Sequence, residues 1–298
     1  MALLIVASHL PVFVGWSWIK PLHDLGAPIV SVFLFISGYG LVKSYGQRGG
    51  DYLTNFFSRR VFRVFLPSVV AMALFYCFNW NRDTDVLGDI NNMIRYGDTV
   101  LPFSWFVIVI ILFYTMFYLV YRLVRERWRL PVIFVLVLMF MAATIAAGYD
   151  RCWWVCSLAF PAGMVFSKYS EPIFGFCSNS SARYISILVL LTIITALLFY
   201  RWPQNQYVCA VCYVFIAMLV VLIAAKLPVE NLNKPLVMFL ASISYEIYLC
   251  QGIPMYFFAG KVPIANRALY ILVVYLVTAL LAYAVHSFCV VITADKAK

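Results

Sequence analysis

A bundle of about ten transmembrane α-helices, all-α and with both termini in the cytoplasm, is the fold this sequence predicts, and three observations predict it. Of 298 residues, 65% are hydrophobic and only 11% are charged, against roughly one-quarter charged in a soluble domain. The mean hydropathy is +0.93. Apolar stretches repeatedly reach the roughly 20 residues that cross a ~30 Å hydrocarbon core, with charges or turn residues between them. A water-soluble fold is excluded, and residues 1–298 read as a single membrane domain.

The apolar segments run over 1–19, 25–45, 61–80, 102–121, 130–149, 152–167, 184–200, 207–225, 236–257 and 268–292. The net charge of +10 would suggest nucleic acid in a soluble protein, but here the basic residues occupy short connections and act as topology signals. With a cytoplasmic N-terminus, Lys43, Arg48, Arg59, Arg60, Arg63, Arg122, Arg125, Arg127, Arg129, Lys168, Arg183, Lys226, Lys234, Lys296 and Lys298 lie inside. That is 15 of the 22 Lys and Arg, the asymmetry expected of the correct orientation. The longest outside loop, 81–101, carries Asp83, Asp85, Asp89 and Asp98 against Arg82 and Arg95. No loop is long enough for a catalytic domain, so any chemistry belongs to residues on or between helices. The eight cysteines lack the spacing of a disulfide framework, and the Cys209/Cys212 pair has no His or carboxylate beside it, so no metal site is expected.

In the first segment His9 follows eight apolar-span residues, a rise of roughly 12 Å that puts the imidazole near mid-bilayer. A polar group at that depth faces protein or water, either as a general base or as a hydrogen-bonded packing residue. The second segment reads Phe33-Leu34-Phe35-Ile36-Ser37-Gly38-Tyr39-Gly40. Its Ser37-Gly38 pair lets another backbone approach, or a thin ligand slide past. Opening the third segment, Arg59 and Arg63 stand at i,i+4 and Arg60 and Arg63 at i,i+3, which on a helix crowds cations onto one side. Planar guanidinium groups suit bidentate phosphate binding, and equally suit anchoring to anionic lipid.

The fourth segment begins Pro102-Phe103-Ser104-Trp105-Phe106, where Trp105 has the place of an interfacial anchor. The ninth contains Ser244-Tyr245-Glu246-Ile247-Tyr248-Leu249-Cys250-Gln251. An intramembrane carboxylate such as Glu246 is expected to point inward and pair with an Arg or His. His286, near the inner end of the last segment, reads as a packing residue, and His23 sits in a short outer loop.

In this order the segments resemble the acyltransferase-3 family of membrane O-acyltransferases, which modify surface glycans. The resemblance rests on His9 in span one, Phe35-x-Ser37-Gly38 in span two, Arg59-Arg60-x-x-Arg63-x-x-x-Pro67 at span three, Trp105-Phe106, and Ser244-Tyr245-x-x-Tyr248-Leu249 in span nine. It implies a membrane acyltransferase in a bacterial-type cytoplasmic membrane. An acetyl-type group would pass from acyl-CoA, with acetyl-CoA the expected donor, to a hydroxyl of an envelope glycan or lipid-linked sugar. By the same resemblance His9 is the catalytic base, and Arg59, Arg60, Arg63, Ser37 and Gly38 receive acyl-CoA. Trp105, Tyr245, Glu246 and Gln251 would meet the acceptor. Two departures stand out: no basic residue precedes Lys20, so either the start is truncated or misassigned or CoA binding falls to Arg59, Arg60 and Arg63 alone, and Gln251 stands where the family often has a His. The alternative function is a proton-coupled carrier or flippase for a lipid-linked sugar, with His9 and Glu246 as a relay. A catalytically silent scaffold would leave the inward polar residues unexplained.

Overall fold

The computed structural model describes residues 1–79, 85–178, 180–227 and 233–295, and among them every regular element is helical. Arg82, Asp83, Lys296 and Lys298, which enter the charge count above, lie outside the described residues. In chain order the helices are α1 (Ala2–Val14), α2 (Gly26–Arg48), α3 (Phe57–Asn79), α4 (Val86–Tyr96), α5 (Trp105–Leu123), α6 (Glu126–Ala146) and α7 (Ala159–Lys168). They continue with α8 (Ser170–Ser178), α9 (Ser181–Arg201), α10 (Gln206–Ala225), α11 (Pro235–Ser242), α12 (Ser244–Lys261) and α13 (Arg267–Asp295).

Seven helical segments are long and apolar enough to cross a membrane, and the pair α11 and α12, bent by 53° between them, makes an eighth if it counts as one span. Their outward faces confirm the solvent they are built for. On α9, Ile185, Val189, Ile193 and Leu197 are exposed at four-residue spacing, and on α13 Leu272, Leu276 and Leu280 repeat the pattern. Such apolar stripes belong in hydrocarbon, and the chain is an integral membrane protein.

Three stretches differ from the sequence expectation. Segment 1–19 gives the 13-residue α1, because Gly15 takes a left-handed φ of 67° and a 3-10 stretch, Ser17–Leu25, folds back beneath it. Segment 152–167 divides into one turn, Cys152–Val155, and the short α7. Pro161 in the first turn of α7 has no N–H to give Ser157, so the helix does not extend backwards. The connection that the sequence reads as a loop contains the helix α4. Asp85 caps it by accepting from Gly88 N at 3.0 Å, and Leu87, Ile90 and Ile94 stand exposed along it, as on an interfacial helix.

The chain forms two units, residues 1–26, 60–108 and 228–298, and residues 27–59 and 109–227. In the first, α1, α3 and α13 surround α12. Ten consecutive residues of α12, Glu246 to Met255, are buried. In the second, α2 and α7 cross backbone to backbone. A Cβ on Gly38 would lie 2.1 Å from the Phe160 carbonyl oxygen, and one on Gly163 would lie 2.0 Å from that of Phe35. The two glycines are thus reciprocal contact points of the small-residue kind that membrane helices use in place of a hydrophobic drive. Gly38 therefore serves the packing role, and the space beside it is filled by α7.

This crossing generates a stability test. Gly38→Ala or Gly163→Ala should each cost about 3 kcal/mol, the upper end of ordinary overpacking, because the obstacle is main chain rather than a movable side chain. Gly40→Ala, which meets nothing within 4 Å, should leave the thermal unfolding midpoint in detergent nearly unchanged.

Candidate active site

His9 lies half-buried on α1, and two contacts fix its ring. Phe103 stacks on the imidazole with centroids 3.8 Å apart and planes 18° from parallel. Nδ1 lies 3.2 Å from Oε1 of Gln251, which is wholly buried. The Gln251 amide is itself oriented, since its Nε2 donates to the Tyr248 carbonyl at 3.0 Å. Only the NH₂ end can make that bond, so the oxygen end faces His9, and Nδ1 must carry the proton it donates. The lone pair is left on Nε2.

Phe103 reaches the ring through an uncommon backbone conformation, φ +67° in a non-glycine residue. Several contacts hold it there. Its carbonyl accepts from the Tyr248 hydroxyl, the turn closes with Ser104 N donating to Leu101 O at 3.1 Å, and Pro102 packs on Gly252, where a Cβ would come within 3.1 Å. Strain of this kind persists only where the surroundings over-determine it, and it gathers at working sites. His23 adds a further tie by donating to the Ser8 carbonyl at 3.3 Å.

Each remaining polar residue of α12 meets a different helix. The Tyr245 hydroxyl donates to Val64 O on α3 at 2.8 Å, beside Arg63. Glu246 Oε1 lies 2.9 Å from Nδ1 of His286 on α13, while Oε2 is buried with no hydrogen-bond partner among the described residues. The expectation that Glu246 turns inward and pairs with an Arg or His is met by His286, which is its partner rather than a simple packing residue. Six residues separate Tyr245 from Gln251, about 9 Å of helix. The opening of α3 and the imidazole are thus joined along one helix.

At that opening Arg59 and Arg63 are exposed and Arg60 is half-buried. The turn Phe57–Val61 is π-helical, not α-helical, so its wider winding replaces the i,i+4 spacing read from sequence. Asn55, with φ 59°, starts it, and its carbonyl accepts from Arg59 N at 3.0 Å. Arg60 and Arg63 belong to the first unit; Arg59, Ser37 and Gly38 belong to the second. Ser37 is half-buried on α2. Trp105, the first residue of α5, packs edge-on against Phe106, whose ring meets Tyr248 at 5.6 Å.

The family model for the Acyl_transf_3 acyltransferase domain matches residues 1–287. The chain belongs to the acyltransferase-3 family. No curated protein and no solved structure matches it. Membership makes the protein a membrane acyltransferase and gives no support to the carrier alternative. The relay that alternative requires is also not formed directly, since His9 bonds to Gln251 and Glu246 to His286.

Sequence reasoning singled out His9 and Gln251 separately and missed Phe103. The only signal for Phe103 was its place between Pro102 and Ser104 ahead of the Trp-Phe pair, which does not foretell a positive φ.

The arrangement lets Gln251 hold the His9 ring in one orientation. Gln251→Leu removes the acceptor that holds Nδ1–H and should lower acyl-transfer turnover about 10²-fold, part of the 10²–10⁴ a positioned base contributes. KM for the acyl donor should hold. Gln251→Glu, which keeps an acceptor oxygen, should recover much of the loss, and steady-state kinetics on both variants separate orientation from mere packing.

Proposed function

We propose that this acyltransferase moves an acetyl-type group from acyl-CoA to a hydroxyl of an envelope glycan or lipid-linked sugar. The observation that carries the reading is the Gln251 bond to Nδ1 of His9, which leaves Nε2 as the proton acceptor. His9 Nε2 takes the proton of the acceptor hydroxyl as that oxygen attacks the thioester carbonyl. When the carbon–sulfur bond breaks, His9 returns the proton to the departing CoA sulfur. The ring gains and loses one proton per turnover, and no other group need change charge.

Arg60 and Arg63 would hold CoA phosphates at the opening of α3, from which α12 leads to His9. Arg59, Ser37 and Gly38 enter this reading on the family motif, with Ser37 the one whose side chain can line a ligand's path. Trp105 would flank the acceptor, while Tyr245, Glu246 and Gln251 act through the protein contacts described above. The reading takes residues 1–298 as one catalytic domain with ten crossings, in which the shorter α1 and the 152–168 segment complete the count. Both termini and residues 122–129 would lie in the cytoplasm of a bacterial-type inner membrane, as the 15-to-7 division of Lys and Arg requires.

His9 gives the decisive test. Mass spectrometry of surface glycans should show acetyl groups lost from cells carrying His9→Ala or His9→Gln, with expression and acyl-CoA binding retained. The amide of Gln can replace a hydrogen bond but cannot act as a base near neutral pH. Normal acetylation by His9→Gln would sink the catalytic assignment. Arg63→Lys keeps charge and loses the bidentate fork, so acyl-CoA binding should weaken about tenfold, or ~1.4 kcal/mol. Unchanged affinity would leave Arg63 a lipid anchor.

A further inference from the structure

The second unit contains a cleft that the chemistry at His9 does not use. It measures about 510 Å³ and lies where the connection 147–151 after α6 meets the connection 202–205 and the start of α10. That volume is within the ~300–1,000 Å³ common for small-ligand sites.

Its lining combines aromatic faces with convergent hydrogen-bonding groups. Trp154, buried to 4% exposure, packs against Tyr207 with ring centroids 5.5 Å apart. Tyr207 is 62% exposed and presents its ring at the rim. Around them stand Asp150, Arg151, Gln204 and Gln206. Aromatic anchoring at the membrane interface would account for an exposed Tyr207. It does not account for a buried Trp behind it, nor for a carboxylate, a guanidinium and two primary-amide residues lining the same space. Carboxylate and amide oxygens accept, while guanidinium and amide N–H groups donate. An apolar ring beside a mixed ring of donors and acceptors is the complement of a sugar, which offers C–H faces and hydroxyls that both donate and accept.

The framework holding these groups is built locally. Asp150 Oδ1 accepts from Cys152 N at 2.8 Å, and Gly148 turns the chain with φ 74°. Asn205 caps α10 by accepting from Tyr207 N at 3.0 Å and Val208 N at 3.1 Å. The cap fixes the backbone from which Gln204, Gln206 and Tyr207 project.

Charge gives the cleft its side of the membrane. The second unit has twelve Lys and Arg, and only Arg151 and Arg201 lie at the cleft end. The other ten, Lys43, Arg48, Arg59, Arg122, Arg125, Arg127, Arg129, Lys168, Arg183 and Lys226, lie toward the opposite end. There Arg129 covers the rings of Tyr45 and Tyr121 at 5.1 and 4.9 Å, and Lys226 covers Tyr184 at 5.3 Å. By the positive-inside rule the cleft faces away from the cytoplasm.

We propose that this cleft binds a saccharide on the non-cytoplasmic side, at a site separate from His9. That the saccharide is part of the acyl acceptor rests on the acyl-transfer reading above.

The test uses the full chain in nanodiscs and fluorescently tagged oligosaccharides, released by mild acid from the surface glycans of the cells that express it. Fluorescence polarisation should show saturable binding that Tyr207→Ala weakens at least tenfold and Tyr207→Phe, which keeps the ring, largely preserves. Gln204→Ala should weaken it severalfold. The same titration with the lipid-linked oligosaccharide in the nanodisc distinguishes a membrane-held from a finished glycan, and binding of either supports the cleft. Absence of saturable binding to both, or equal binding by wild type and Tyr207→Ala, overturns the proposal. Glycan acetylation in cells carrying His9→Ala reports on the reaction separately. Acetylation that depends on His9 with no saccharide bound refutes the cleft alone; saccharide binding without such acetylation refutes only its assignment to the acceptor.

Discussion

Burying a polar helix in an apolar surround favours protein partners for its hydrogen-bonding groups, and in the first unit most such groups of α12 that are buried have one. With Glu246 to Met255 buried throughout, water cannot satisfy them, and an unmet polar group in a low-dielectric interior costs several kcal/mol. Its partners come from every direction. Tyr245 reaches α3, Glu246 reaches α13, Tyr248 reaches the turn before α5, and Gln251 reaches α1. From α13 the Tyr270 hydroxyl returns a bond to Met255 O at 2.8 Å. These bonds do more than satisfy α12, because each holds a neighbouring helix at a set height and rotation. The placement of His9 follows from the same requirement that places the others.

The second unit solves a different problem. Its helices have few polar groups to pair, and lipid is as apolar as they are, so close packing has to hold them. The Gly38–Gly163 crossing lets two backbones touch. Around it Phe35 and Phe166 meet at 5.4 Å, and Phe56 and Phe117 stack at 5.8 Å nearer the basic end. Arg129 and Lys226 lie over tyrosine faces there, a contact that suits rings with one apolar and one polar end.

Much of the site was legible because membrane depth is a strong filter on polar residues. His9 and Glu246 stood out as ionisable groups inside apolar runs, and the inward orientation of Glu246 toward an Arg or His followed from cost alone. The identity of that partner did not, since His286 lies forty residues away and pairing is a tertiary fact. Hydropathy likewise gave the long helices and overextended the short ones. A window averages through Gly15 and the turn before Pro161, where a single dihedral or a missing N–H ends a helix. The helix α4 escaped notice for the converse reason: its apolar residues Leu87, Ile90 and Ile94 are too sparse to raise a window average, yet they share a face. The positive φ of Phe103 is held by Tyr248, remote in sequence, and neither it nor the π turn at Phe57–Val61 is announced by residue type.

The choice of a neutral amide to orient His9 has its own logic at this depth. A carboxylate would hold the ring as firmly, but it would also place a formal charge where desolvation is most expensive. Gln251 supplies the acceptor for Nδ1–H, spends its NH₂ on the Tyr248 carbonyl, and remains uncharged throughout. The carboxylate that α12 does carry is Glu246, a turn and a half away, where His286 lies within 2.9 Å and is itself 30% exposed. The carboxylate is thus set apart along the helix from the neutral hydrogen bond that orients His9. A ring held in this way can exchange a proton at Nε2 without a compensating charge movement in its immediate support, and Phe103 against its face keeps the plane fixed while it does so.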